Sequence, residues 1–223
     1  MRDPRHQPSA YVSVKRGVLD QRTGYIGAPM EPRYDHANPA PDPLRLVQEF
    51  VNTVDLKHGR EWLDTPAALA RWLGDRGLTA ARATRADLAH ALELRDVLRN
   101  LLRANNGAEL DNAAVTRFNV FAAEAKVGLA FDETGIPVLD SQRSGVAGAI
   151  GRLVAVALTA MVDGTWARLK ACRNEVCQWS FYDYSKNRTG RWCSMSVCGN
   201  RIKTRSYRRR HRAAQVAGRR RRR

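Results

Sequence analysis

Four cysteines occur in the 223 residues, and all of them fall between positions 172 and 198. Four residues separate Cys172 from Cys177, four separate Cys193 from Cys198, and fifteen residues join the two pairs. Thiolates are soft ligands, and two short-spaced pairs joined by a loop can wrap opposite edges of one tetrahedral ion. The donor set disfavours hard cations such as magnesium and calcium and points to one structural zinc on Cys172, Cys177, Cys193 and Cys198. Two disulfides or an iron–sulfur cluster would use the same side chains. Nothing in the chain signals an oxidising compartment, which favours zinc over disulfides. Four thiolates close the coordination shell and leave no open position for Lewis-acid chemistry. Gly199, directly after Cys198, is expected to let the backbone turn tightly around a bound sulfur.

The second chemistry-bearing feature is charge. The chain carries a formal net charge of +16, and its halves differ sharply. Residues 1–164 hold 20 Lys+Arg and 20 Asp+Glu, whereas residues 165–223 hold 18 and 2. That asymmetry predicts a polyanion partner for the C-terminal part and none for the rest. Between the cysteine pairs, Lys186, Arg188 and Arg191 stand among Trp179, Phe181, Tyr182, Tyr184 and Trp192. Trp179, Phe181 and Trp192 are expected to form the small core of a zinc module, and Tyr182 or Tyr184 to offer a ring for base stacking. A helix is expected from Asn200 to Val216, with Arg201, Arg205, Arg208 and Arg212 on one face, widened by Lys203, Arg209 and Arg210. Residues 218–223 read as a flexible arginine tail.

Cys198-Gly199-Asn200-Arg201 spells CGNR, preceded by Arg191-Trp192-Cys193-Ser194-Met195 and, further upstream, by Phe181-Tyr182-Asp183-Tyr184-Ser185. These residues resemble the CGNR zinc-finger family over about residues 168 to 212. In that family the finger accompanies an α-helical ABATE domain. Phe50-Val51-Asn52-Thr53 resembles the Phe-x-Asn-Thr string near the start of such domains. Its members are known mainly as transcription regulators, so the resemblance implies a zinc-dependent, DNA-binding regulator. The chain departs from the family where Gly190 interrupts the basic run before Trp192-Cys193.

The elements that must position these residues follow from hydrophobic periodicity. Residues 1–41 hold six prolines and no sustained apolar period, and read as a disordered leader. A helical domain is expected over 42–164. Its first helix, Leu44 to Asp55, carries Asn52, Thr53 and Asp55, which read as a buried turn or cap or, alternatively, as the polar floor of a ligand pocket. Thr65-Pro66 opens a second helix that Gly77 ends. Thr84 and Asp87 form a variant capping box for a third helix running to about Ala104. On it Arg95, Arg99 and Arg103 read as a solvated stripe. Asp111 caps a fourth helix through Ala125. Val127–Phe131 and Ile136–Leu139 suggest a hairpin. A helix from Gly145 to Val162 then leads, past a boundary near 164, to a strand at Trp166–Ala171 that delivers Cys172. The zinc-finger domain spans 165–217. The fold class is mainly α with a small β-hairpin: a helical N-terminal domain, a four-cysteine zinc-binding module and a basic C-terminal helix.

No signal peptide is visible, and no uninterrupted apolar run reaches about 18 residues. Val146 to Val162 reads as a buried helix, and a cytoplasmic protein is expected. GxSxG, P-loop and HExxH motifs are absent, and His58 and His90 stand isolated, so the reading is non-enzymatic. The partner is a nucleic acid, DNA by the resemblance, with RNA left open by the basic, aromatic loop. A homodimer would suit paired half-sites. The competing readings are a helical domain with a small-molecule or enzymatic pocket near Asn52 and Asp55, its basic tail only localising it, and a module that docks an acidic protein.

Overall fold

A computed structural model describes residues 38–132, 134–200 and 204. Residues 1–37 of the leader, the arginine tail and almost all of the expected basic helix lie outside those residues; the leader's last stretch, 38–41, is packed rather than disordered, with Ala40 buried and its amide donating to Gln48 Oε1 at 2.6 Å. The described elements are α1 (Leu44–Val51), β1 (Val54–Asp55), β2 (Arg60–Glu61), α2 (Pro66–Asp75), α3 (Arg85–Ala104), α4 (Asn112–Glu124), β3 (Val127–Phe131), β4 (Pro137–Ser141), α5 (Gly145–Asp163), β5 (Leu169–Ala171) and β6 (Ser180–Tyr182). Among the described residues, strands pair only with their neighbours in sequence, as three two-stranded antiparallel sheets.

The helix starts follow their caps. Thr65 Oγ1 accepts from the Ala68 amide at 3.2 Å, and Pro66 sits where its missing N–H costs little. Thr84 and Asp87 form the reciprocal capping box. Asp111 accepts from the amides of Ala113 and Ala114. Gly164 ends α5 at φ 79°, a left-handed conformation that favours glycine.

Three local expectations fail. First, α1 stops at Val51 and does not reach Asp55, because Val54–Asp55 pair with Arg60–Glu61. Second, Trp166–Arg168 form a 3-10 turn, so only Leu169–Ala171 is strand. Third, Arg95 and Arg99 are buried rather than solvated, at 4% and 6% exposure. Arg95 forks onto Glu61 at 2.7 and 2.5 Å and donates to Thr53 Oγ1 at 3.0 Å. Arg99 donates to the Val51 carbonyl at 2.7 Å and to Asp96 at 2.8 Å. Burial, with Arg95 alongside, lowers the affinity of Arg99 for its proton. These two guanidiniums tie α3 to the end of α1 and to the β1–β2 sheet.

One hydrophobic cluster runs through the molecule. It joins Val47, Phe50, Leu94, Leu98, Leu102 and Leu153 of the helices to Trp166, Leu169, Ala171 and Tyr182 beyond residue 164. β5 therefore packs on α3, and β6 on α1, as parts of one core. Among the described residues, α5 is the one helix long and apolar enough to cross a membrane. More than half of it is buried in this core, which accounts for its composition without a bilayer.

Candidate metal centre

β5 and β6 build the base of the site. Their ladder continues one residue past Ala171, where the Cys172 amide donates to the Trp179 carbonyl at 2.9 Å. The amides of Cys177 and Gln178 both donate to the Asn174 carbonyl, and Gln178 takes φ 48° to reverse the chain after the ligand. The second pair sits on a short π-helical turn, Met195–Gly199, whose N-cap Ser194 accepts from Val197, Cys198 and Gly199. Gly199 thus lies in a helical turn, not in the tight reversal expected of it. Its small size is needed for space instead: a Cβ there would stand 2.9 Å from Met195 Sδ and 3.3 Å from Trp192 Cδ1.

All four expected ligands converge. Their Sγ atoms lie within 4.8 Å of one another, with Cys193 Sγ 3.7 Å from both Cys177 Sγ and Cys198 Sγ. None is in a disulfide. A zinc–sulfur bond of about 2.3 Å implies tetrahedron edges of about 3.8 Å, so the cage fits zinc. The surroundings suit thiolates as well. The amides of Asn174 and Cys193 point to Cys172, the Trp179 amide points to Cys177, and Asn174 Nδ2 donates to Cys198 Sγ at 3.7 Å. Hydrogen bonds from Cys177 and Cys193 pull the Cys172 thiol down, while the contact with Cys172 pushes Cys177 and Cys193 up. So many thiols in one place ionise together only when a dication neutralises them, which is the chemistry zinc would supply.

The inner side of the module is fastened by buried amides. Asn52 Nδ2 donates to the Ser180 carbonyl at 3.0 Å, and Asn52 Oδ1 accepts from the Ser180 amide at 2.7 Å. Gln48 Nε2 reaches the same carbonyl at 3.3 Å. At the end of α3, Asn105 Nδ2 donates to the carbonyls of Trp166 and Leu169, and Asn106 Nδ2 to those of Ala171 and Arg191. The polar groups offered as a pocket floor are therefore engaged by the protein itself. Asn52 holds β6, Thr53 accepts from Arg95 and donates to the Phe50 carbonyl, and Asp55 faces His58 Nδ1 at 2.6 Å. Gln48, Asn105 and Asn106 escaped the sequence reading, although polar side chains amid apolar neighbours were the available signal.

Beneath the loop between the cysteine pairs lies a buried ion pair that the sequence also hid. Lys170 Nζ donates to Asp183 Oδ2 at 2.7 Å and to the Arg188 carbonyl at 2.6 Å. Asp183 accepts further from the Ser185 amide at 3.0 Å and the Gly190 amide at 2.8 Å. Burial opposes its charge, yet the Lys170 and Ser185 hydrogen bonds, with the Gly190 amide, hold its carboxyl down at about 2. A Cβ on Gly190 would stand 2.7 Å from that carboxyl, so the glycine that interrupts the basic run is sterically required. Lys186, Arg188 and Arg191 are exposed, and among the described residues none has an ion-pair partner for its side chain. Phe181 and Tyr182 are buried, at 2% and 5% exposure, which removes Tyr182 as a stacking ring. Tyr184 is 59% exposed, and its hydroxyl donates to the Pro39 carbonyl at 2.7 Å. Arg201, Lys203, Arg205, Arg208, Arg209 and Arg212 lie outside the described residues.

Residues 44–164 match the model of the ABATE family, described as "Putative stress-induced transcription regulator". The chain belongs to this family. Residues 168–211 match the CGNR zinc finger, with all four clustered cysteines inside the match. No curated protein matches the chain. The ABATE segment thus supplies the amides and apolar helices that seat the finger, and the finger supplies a four-thiolate cage for one zinc.

Proposed function

We propose that this chain is a zinc-dependent regulator that binds DNA through the outer face of its zinc module, while its helical domain senses a ligand or partner. One observation carries the reading: the exposed cations of the module, Lys186, Arg188 and Arg191, are unpaired among the described residues, whereas Lys170 is neutralised within. A cation that the fold leaves unpaired is available to a phosphate. The arginines from Arg201 onward follow the last ligand directly and extend the same basic character, with 12 Lys+Arg and no acids from residue 199 to the end. Zinc acts structurally here, holding the two cysteine-bearing turns together. The description of the ABATE family as a transcription regulator supports DNA and a cytoplasmic setting. A catalytic role for the metal is disfavoured because four thiolates fill its coordination shell. RNA is the second reading, supported by the exposed Tyr184 ring close in sequence to Lys186 and Arg188.

The test is competitive selection by the full zinc-loaded chain, at roughly 0.15 M salt, from pools of random duplex DNA, single strands and structured RNA. Enrichment of a short duplex motif is expected. Enrichment of a looped or single-stranded element would replace DNA with RNA. Equal retention of every pool would reduce the module to a non-specific polyanion binder.

A further inference from the structure

A cavity of about 420 Å³ opens between α3, the end of α4 and the start of α5, well inside the size range of small-molecule sites. Phe121, Ala147 and Ile150 give it an apolar floor, and His90, Lys126 and Arg143 give it a polar rim. The His90 ring packs on Phe121 with centroids 4.6 Å apart, and its Nε2 faces the Glu124 carboxylate at 3.6 Å. Glu124, the acid of the lining, is thus turned toward His90. Lys126 and Arg143 have no ion-pair partner among the described residues. Lys126 also adopts φ 48°, a left-handed conformation that non-glycine residues rarely take. Its amide donates to the Ala123 carbonyl at 3.1 Å, and its carbonyl accepts from the Gln142 amide at 3.3 Å, so the strained turn is held from both sides.

We infer that this cavity binds a small organic carboxylate with an apolar body. Two cations without an ion-pair partner among the described residues, against one partly engaged carboxylate, match a monoanion, and Glu124 opposes a dianion such as a phosphate. The guanidinium of Arg143 offers a fork that suits a carboxylate, and the carbon lining, in which Ala147 is half-exposed, suits an apolar body. The inference deepens the sensing role given above to the helical domain and rests on it only for its biological meaning. α5 carries Ala147 and Ile150 near its start, and its end leads toward β5.

The experiment is calorimetric titration of the full zinc-loaded chain with phenylpropionate, its primary amide and phenylpropylamine. Saturable binding of the carboxylate is expected, with the amide weaker by about tenfold and the amine silent. Arg143→Gln is expected to weaken the carboxylate by about tenfold, and Ala147→Leu, which fills the cavity from a half-exposed helix position, to abolish binding with the thermal transition unchanged. Equal binding of acid and amide would overturn the proposal. So would carboxylate binding that survives both substitutions, since it would then belong to the arginine tail, and so would the lack of any saturable binding. A chain that selects a DNA motif yet ignores the carboxylate loses the cavity proposal alone.

Discussion

The two sides of the zinc module treat charge in opposite ways. On the inner side, Lys170 and Asp183 are nearly inaccessible and neutralise each other, and the backbone groups of Ser180 and Ala171 are taken up by Asn52 and Asn106. On the outer side, Lys186, Arg188 and Arg191 reach solvent without an ion-pair partner among the described residues. Composition does not distinguish these cations, since all belong to the same basic stretch of sequence. Pairing does: an ion that the fold has neutralised is structural, and one that it has left bare is available to a partner. Arg95 and Arg99 make the same point in the neutral half, where guanidiniums that look like a surface stripe hold helices together.

Cys193→Ser should break both sides at once, and it carries the largest expected effect. Cys193 is a ligand, and its amide also points at Cys172, so the substitution removes a sulfur and disturbs a second. The variant is expected to lose its zinc by elemental analysis and to lose at least about 3 kcal/mol of folding stability, because metal affinity in such sites is folding free energy. Circular dichroism should show the helices weakened too, since Trp166, Leu169, Ala171 and Tyr182 belong to their core. A variant that keeps one zinc per chain, or melts like the parent, would sink the metal assignment.

Asp183 isolates the inner side. Its carboxyl is held near 2 in the folded chain against an ordinary value of 3.8, so the folded state binds the proton more weakly than the unfolded one. The sign follows: this stabilisation is fully present above about pH 5 and disappears as pH falls toward 2, a loss of about 2 kcal/mol. Denaturant titrations of the parent and of Asp183→Asn across that window should converge at low pH. Curves that stay parallel would mean that the ion pair does not respond to acid.

Much of this was legible in the chain. Cap chemistry placed three helix starts, because Thr65-Pro66, Thr84 with Asp87 and Asp111 satisfy amides within their own turns. The cysteine spacing revealed the cage, because a tetrahedron constrains spacing directly. What stayed hidden depends on partners distant in sequence. Lys170 is one basic residue among many until Asp183 lies beside it, and Asn105 and Asn106 simply follow the end of a helix until β5 supplies carbonyls for their amides. Gly199 and Gly190 were read for backbone freedom or charge spacing, when their neighbours Met195 and Asp183 simply leave no room for a Cβ.

The outer side is tested by the substitution with the smallest expected effect on folding. Changing Lys186, Arg188 and Arg191 together to glutamine touches no ion pair among the described residues, so stability should stay within about 0.5 kcal/mol of the parent. Binding to duplex DNA should nevertheless weaken, and the slope of log affinity against log salt should become shallower by as much as about 2.7, near 0.9 for each phosphate that is no longer neutralised. Asp183→Asn should show the reverse pattern, a loss of stability with the salt slope of the folded fraction preserved. If the glutamine variant kept the full slope, the loop would be a bystander, and phosphate binding would fall to the arginines that begin at Arg201. If it unfolded like an inner-side variant, the division between neutralised and available charge would be wrong at these positions.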